Sequence, residues 1–122
     1  MSYLNFHDIG SPQELVQRQE EFQAEYRISF MTQWFIDYCA ALTEPPSATT
    51  CAVLFDIGNG LMDGTNGYFN NVLKAVISSA EHAAKLPGMQ NFSQIAKAAR
   101  AQIHDGRAEI SGPRAGWEKI KL

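Results

Sequence analysis

The feature that most constrains this chain is a run of apolar residues at helical spacing, bracketed by a helix start signal and by two prolines. The stretch Ser11 to Glu14, "SPQE", is a capping box: the serine hydroxyl can accept a hydrogen bond from an unpaired amide, and proline suits the first helical position. Pro45 and Pro46 cannot continue a helix. The sequence therefore predicts one long first helix between these signals. Its first apolar stripe consists of Leu15, Phe22, Tyr26, Phe30 and Trp34.

A second apolar stripe begins at Ile28 within the same predicted helix. The helix is therefore one-sided at its start and apolar most of the way round at its end. We expect its second half to be buried from several directions. The other members of this second stripe are Met31, Phe35, Tyr38 and Leu42.

The rest of the chain carries further helix signals and no alternating strand pattern. The "SATT" sequence offers caps for a second helix, "LPG" ends a third, and apolar residues from Phe92 to Ile103 face one way on a last helix. The sequence predicts an all-α fold, a three- to four-helix bundle. At 122 residues it forms one domain, with residues 1–10 as an N-terminal arm and residues 107–122 as a C-terminal tail.

The run from Asp56 to Gly67, "DIGNGLMDGTNG", contains four glycines. A calcium loop would need a glutamate at its twelfth position, which here is Gly67. A phosphate loop would need a Gly-Lys-Ser/Thr ending, which is also absent. Two structural interpretations remain. We predict a glycine-rich break or kink between helices; the alternative is a continuous helix whose glycines let a neighbouring backbone approach closely.

The charges are divided unevenly along the chain. Residues 1–66 hold nine acidic side chains against two basic ones, a net charge of −7, whereas residues 67–122 hold eight basic against four acidic, a net charge of +4. This division favours antiparallel packing of the two halves or head-to-tail self-association. No region is basic enough for nucleic acid to be the expected partner.

The two cysteines, Cys39 and Cys51, and an N-terminus without a leader pattern indicate a reducing compartment, so we expect a cytoplasmic protein. No run of about eighteen uncharged apolar residues occurs, so no membrane span is expected. Cys39 lies in the apolar half of the predicted first helix, where a buried and inert thiol is the expectation.

The candidate chemical groups do not assemble into a known site in the sequence. Glu21 and Glu25 lie one helical turn apart, but the glutamate–histidine spacing of a di-iron bundle is missing. Ser79 and His82 could touch on a helix, but nothing in the sequence orients the histidine as a base. We therefore predict no enzyme, no catalytic residue, no metal site and no cofactor.

The stretch "SPQELVQRQEEFQAEY", from Ser11 to Tyr26, resembles the helix-opening segment of phasins, which coat polyhydroxyalkanoate granules in bacteria. The segment "AKAARAQ", residues 96–102, is similar in character. The resemblance implies a non-enzymatic, oligomeric coat protein with amphipathic helices on a hydrophobic polymer. It also implies that Leu15, Phe22 and Tyr26 contact that polymer.

We thus expect a non-catalytic helical interaction protein, a homo-oligomer, with a hydrophobic polyester surface or a larger protein as partner and with granule association. The first stripe is its candidate apolar contact face. One alternative is an accessory or regulatory subunit that docks on a larger enzyme. Another is a small-ligand-binding bundle with a pocket around Trp34. The candidate docking residues of the tail are Trp117, Ile120 and Leu122.

Overall fold

The computed structural model describes residues 9–63 and 69–103. Within these ranges the chain forms five α-helices and three short 3-10 turns, and none of these residues belongs to a β-strand. The predicted all-α class is confirmed. The helices are α1 (Pro12–Arg18), α2 (Arg27–Ala41), α3 (Ala48–Asp63), α4 (Asn70–Ala84) and α5 (Ser93–Gln102).

The predicted long first helix is wrong, because the chain leaves helical geometry between α1 and α2. Phe22 and Gln23 have ψ angles of 147° and 129°, which are extended values. In a continuous helix, Phe22 and Phe30 would lie about 12 Å apart along the axis. In the structure their ring centroids are 4.3 Å apart. The break therefore lets one aromatic ring fold back onto the other, and it makes two helices out of the predicted one.

An arginine side chain spans the same break and donates a hydrogen bond to a backbone carbonyl at the end of α1. Arg27 Nε donates to the carbonyl oxygen of Gln19 over 3.1 Å, and the Arg27 guanidinium also pairs with Glu20 at 3.4 Å. Carbonyls at a helix end lack partners within the helix, so a basic side chain that reaches them stabilises the end.

The predicted capping box is present at the start of α1. The backbone amide of Glu14 donates to Ser11 Oγ over 3.1 Å, and Pro12 occupies the first helical turn. The Glu14 carboxylate reaches back to the amide of Gly10, also over 3.1 Å. This hydrogen bond, together with one from the Arg18 guanidinium, lowers the pKa of Glu14. The local signal in the sequence was sufficient here because every partner lies within one turn.

Helix α2 packs against both α3 and α4, while α5 packs on α4 and on α3, and α1 packs on α3. Its second half is buried from several sides, as the second stripe predicted. The buried apolar or thiol side chains in this half are Trp34, Phe35, Ile36 and Cys39.

The first half of the glycine run is helical and unbroken. Helix α3 continues through Gly58 and Gly60 to Asp63. A break is therefore not observed in this half, while Gly64 and Gly67 lie outside the described residues.

The two described glycines of the run differ in their surroundings. A Cβ atom added to Gly58 would lie 2.6 Å from Ile95 Cδ1 and 2.7 Å from two atoms of the Phe35 ring. A Cβ atom added to Gly60 would meet nothing within 4 Å. Gly58 thus admits the side chains of Phe35 and Ile95, not a neighbouring backbone. Gly60, one of the glycines for which the alternative interpretation proposed a close backbone approach, meets no neighbour.

The predicted stop at "LPG" is confirmed. Helix α4 ends at Ala84, and Gly88 follows with a φ of +83°, a left-handed conformation that a glycine adopts at little cost. The chain then turns through Gln90–Phe92 into α5.

The two glycines of α3 provide a matched test of this packing. Gly58→Ala should lower the free energy of unfolding by about 1–3 kcal/mol, because the ring of Phe35 is buried and must move. Gly60→Ala should raise it by about 0.5–1 kcal/mol, because alanine favours the helix and meets no neighbour. Urea denaturation followed by circular dichroism measures both. Equal changes in the two variants would contradict the assigned packing.

Candidate interaction surfaces

The residues of the predicted contact face are largely occupied within the chain. Leu15, Phe22 and Trp34 are buried, and Tyr26 and Phe30 are half-buried. Two causes act together: the break after α1 turns Phe22 inward, and α2 is enclosed by its neighbours. In the folded chain these side chains form core more than surface.

The Trp34 side chain is engaged through both its indole N–H group and its aromatic ring. Its indole Nε1–H donates to the carbonyl oxygen of Ile9 over 3.0 Å, and its ring stacks on Tyr38 with centroids 4.7 Å apart. Ile9 is itself buried, and residues 1–8 of the predicted arm lie outside the described part. Trp34 therefore holds the backbone of Ile9 against α2.

The start of α2 leaves an apolar side chain uncovered on the side that faces the core. Residues four, seven and eleven positions apart share one side of a helix. At these distances from Ile28, the residues Thr32, Phe35 and Cys39 are all fully buried. Ile28 is nevertheless 48% exposed. The first turn of α2 thus carries, on the core-facing side of the helix, an apolar side chain that the described residues leave half uncovered.

One other large apolar side chain is exposed in the described ranges, Val16 on α1, at 40%. It was not selected by the sequence reasoning, because it lies off the first apolar stripe. Ile28 was selected as the first member of the second stripe, but its exposure depends on where the neighbouring helices end.

The candidate serine and histidine of α4 are each hydrogen-bonded to a backbone carbonyl oxygen. Ser79 Oγ donates to the carbonyl oxygen of Ala75 over 2.9 Å, back into its own helix. His82 Nε2 donates to the carbonyl oxygen of Leu42 over 2.7 Å, which ties α4 to the end of α2. The two side chains are therefore directed to different partners. The other two histidines, His7 and His104, lie outside the described residues.

The two candidate metal-ligating carboxylates, those of Glu21 and Glu25, differ in their surroundings. Glu21 pairs with Arg18 at 3.1 Å, and Glu25 is exposed. Across residues 9–63 and 69–103, no three His, Cys, Asp or Glu side chains come together in a way that could hold a metal ion.

The two thiols are free and differ in access. Cys39 is fully buried, and burial strongly raises the pKa of its thiol. Cys51 is partly exposed; burial raises its pKa as well, and its Sγ lies 3.6 Å from the carbonyl oxygen of Pro46. Because the thiolate is the reactive form, both pKa shifts oppose nucleophilic chemistry at neutral pH.

The described surface includes two open clefts. One, of about 440 Å³, lies on the outer face of α4, and the other, of about 370 Å³, lies between the start of α3 and the turn before α5. Trp34 lines neither of them. The first is lined by Lys74, Ile77, Ser78, Glu81, His82 and Lys85. The second is lined by Pro45, Pro46, Ala48, Cys51, Ala52, Pro87, Gly88 and Asn91.

The uneven charge of the sequence is carried into the fold. Residues 9–63, which contain α1 to α3, hold eight acidic and two basic side chains. Residues 69–103, which contain α4 and α5, hold one acidic and four basic side chains. The predicted docking residues of the tail, Trp117, Ile120 and Leu122, lie outside the described part of the chain.

Comparison with models of protein families, with curated proteins and with solved structures found no match. No helix in the described ranges is both long enough and apolar enough to cross a membrane. What the chain does is therefore inferred from its own surfaces.

The difference between the two thiols can be measured directly. In the folded protein at mildly alkaline pH, a chromogenic disulfide reagent should modify Cys51 slowly and leave Cys39 unmodified, because Cys39 is fully buried. After denaturation both thiols should react. Cys51→Ser should remove the reaction of the folded protein, and Cys39→Ser should preserve it. Reaction of the folded Cys51→Ser variant would contradict the burial of Cys39.

Proposed function

We propose that this chain is a non-catalytic helical interaction protein that binds a hydrophobic surface through the start of α2. The observation that carries the proposal is the 48% exposure of Ile28 on the core-facing side of that helix. A side chain in line with three fully buried residues is suited to burial as well, and a partner would supply the missing cover.

The small binding energy of this contact favours a partner that many copies of the chain bind at once. Complete burial of an isoleucine is worth about 1.5–3 kcal/mol, so covering its exposed half contributes about 1 kcal/mol. Val16 could add a similar amount where it meets the same surface. Such energies are too small for a stable one-to-one complex, but linked contacts from an oligomer act together. A polymer surface presents the matching array of binding positions.

The phasin resemblance leads to the same kind of partner with different contact residues. Its implied contacts include Leu15 and Phe22, which are buried within the chain. A coat made from those residues would require α1 to separate from α3, against which it packs. Contact through Ile28 needs no unfolding, so we propose it as the binding position for a polyester granule.

The small-ligand alternative receives no support from Trp34. Its indole is bonded to Ile9 and stacked on Tyr38, and neither cleft described above is lined by it. The accessory-subunit alternative rested on the tail, which lies outside the described residues, so no structural observation favours it here.

The test mixes purified protein with polyhydroxybutyrate particles and, separately, with polystyrene beads, and measures the protein left in solution after centrifugation. The wild type should be depleted, and Ile28→Asp should remain soluble. A carboxylate there suits the first turn of a helix, so the variant should fold.

Ala40→Asp is the matched control, because Ala40 is an exposed residue near the other end of α2. It should be depleted like the wild type. Depletion by the polyester alone would support a granule coat, and depletion by both materials would support a general hydrophobic contact. Wild-type protein left in solution with both, or equal depletion of Ile28→Asp, would overturn the proposal.

A further inference from the structure

The ion pairs of the described residues never join the acidic and basic parts of the chain. Arg18 pairs with Glu14 and Glu21, and Arg27 pairs with Glu20, all within the first two helices and their connection. Arg100 of α5 pairs with Glu81 of α4. Ion pairs among the described residues therefore leave one part of the chain acidic and the other part basic.

The charges left without an ion pair are sorted by sign. Among the residues that the structure describes, all of the acidic ones lie in residues 9–63, and all of the basic ones lie in residues 69–103. Every one of these side chains is exposed. The acidic residues are Glu25, Asp37, Glu44, Asp56 and Asp63, and the basic residues are Lys74, Lys85 and Lys97.

Two of these acidic residues lie in one line on the outer face of α3. Ala52, Asp56, Gly60 and Asp63 follow one another at intervals of four, four and three, and all are exposed. The spacing from Asp56 to Asp63 along the helix axis is about 10 Å. Between them, the position of Gly60 has open space around it. This line of residues is thus acidic, and none of its side chains is larger than that of aspartate.

The outer face of α4 offers the complementary charge. Lys74 and Lys85 lie at the two ends of the cleft of about 440 Å³, with Ile77 and Ser78 between them. Their spacing along the axis is about 16 Å, which the flexible stems of lysine can adjust to a shorter pair of carboxylates. Glu81, also in this cleft, is neutralised by Arg100.

We propose that the chain associates head to tail with copies of itself, with the outer face of α3 of one copy against the outer face of α4 of the next. An α3 face cannot meet another α3 face, because Asp56 and Asp63 would then oppose carboxylates. The contact therefore joins unlike surfaces. It closes as a two-fold pair where both faces of one copy meet both faces of its partner, and otherwise it generates a ring or an open chain. The absence of a side chain at Gly60 lets lysine stems from the partner approach the α3 backbone. This contact does not involve Ile28, so it stands apart from the binding of hydrophobic surfaces.

The test uses two charge reversals and their mixture. Asp56→Lys/Asp63→Lys removes the acidic face, and Lys74→Glu/Lys85→Glu removes the basic face. Each should lower the association constant by about tenfold or more, because attractive contacts become repulsive ones. An equimolar mixture should associate again, since each variant carries the face that complements the other. Sedimentation velocity measures the mass of each sample, and circular dichroism verifies that each variant is folded.

Salt provides an independent measurement on the unmodified chain. The wild-type mass should exceed that of a monomer at about 0.01 M salt and approach it at about 1 M salt, where the Debye length falls from about 30 Å to about 3 Å. Association that persists unchanged at high salt would overturn the electrostatic contact.

A matched control reverses two unpaired acidic residues outside the α3 face. Glu25→Lys/Glu44→Lys changes the net charge by the same amount as Asp56→Lys/Asp63→Lys, and at about 0.01 M salt it should lower association by less than Asp56→Lys/Asp63→Lys does. The proposal is overturned by a wild-type monomer at low salt, by an equal loss in this control, or by failure of the mixture to associate. Should a reversed variant not fold, Asp56→Asn/Asp63→Asn replaces it. Self-association is measured without particles, so it can hold where depletion by particles fails.

Discussion

The rest of the fold depends on the contact between the backbone of α3 at Gly58 and the ring of Phe35. Ile95 of α5 closes on the same glycine, so three helices meet where one side chain is missing. Any larger residue there would push α2 and α5 away from α3, because Phe35 and Ile95 occupy the space that its side chain would need. The low helix propensity of glycine is thus offset by packing that no other residue allows.

The Gly58 contact also determines which surfaces face outward. Two residues along a helix correspond to about 200°, so when Gly58 faces the core, Gly60 lies on the opposite side. Asp56 and Asp63 then share that outer side. In the same way, the enclosure of α2 by α3 and α4 buries its second half and leaves Ile28 uncovered at its first turn. Both proposed contact surfaces are consequences of how the central helices pack.

The sequence was informative where the signal was local. The capping box at Ser11 and the stop before Gly88 each involve neighbours within a turn, and both were predicted correctly. The long first helix was wrong because its break depends on two aromatic rings eight residues apart, which helical spacing alone treats as one stripe. The sequence could not decide which glycine is packed, because the partners of Gly58 come from distant parts of the chain. For the same reason, the stripes identified apolar side chains but not which of them stay exposed, and the uneven charge was visible without the pattern of ion pairs.

A head-to-tail arrangement would change the energetics of hydrophobic binding as well. In a ring or open chain of equivalent copies, each copy presents its Ile28 in the same relation to its neighbours. A contribution of about 1 kcal/mol per copy is negligible for a single chain but accumulates along a row that meets one surface. The charged faces of α3 and α4 would then set the spacing of the row, and the uncovered start of α2 would supply its affinity. High salt should therefore weaken binding to hydrophobic particles indirectly, by dispersing the row, although salt strengthens an isolated apolar contact. Weaker binding at high salt would therefore indicate a coupled assembly, whereas stronger binding would indicate chains that bind the surface independently.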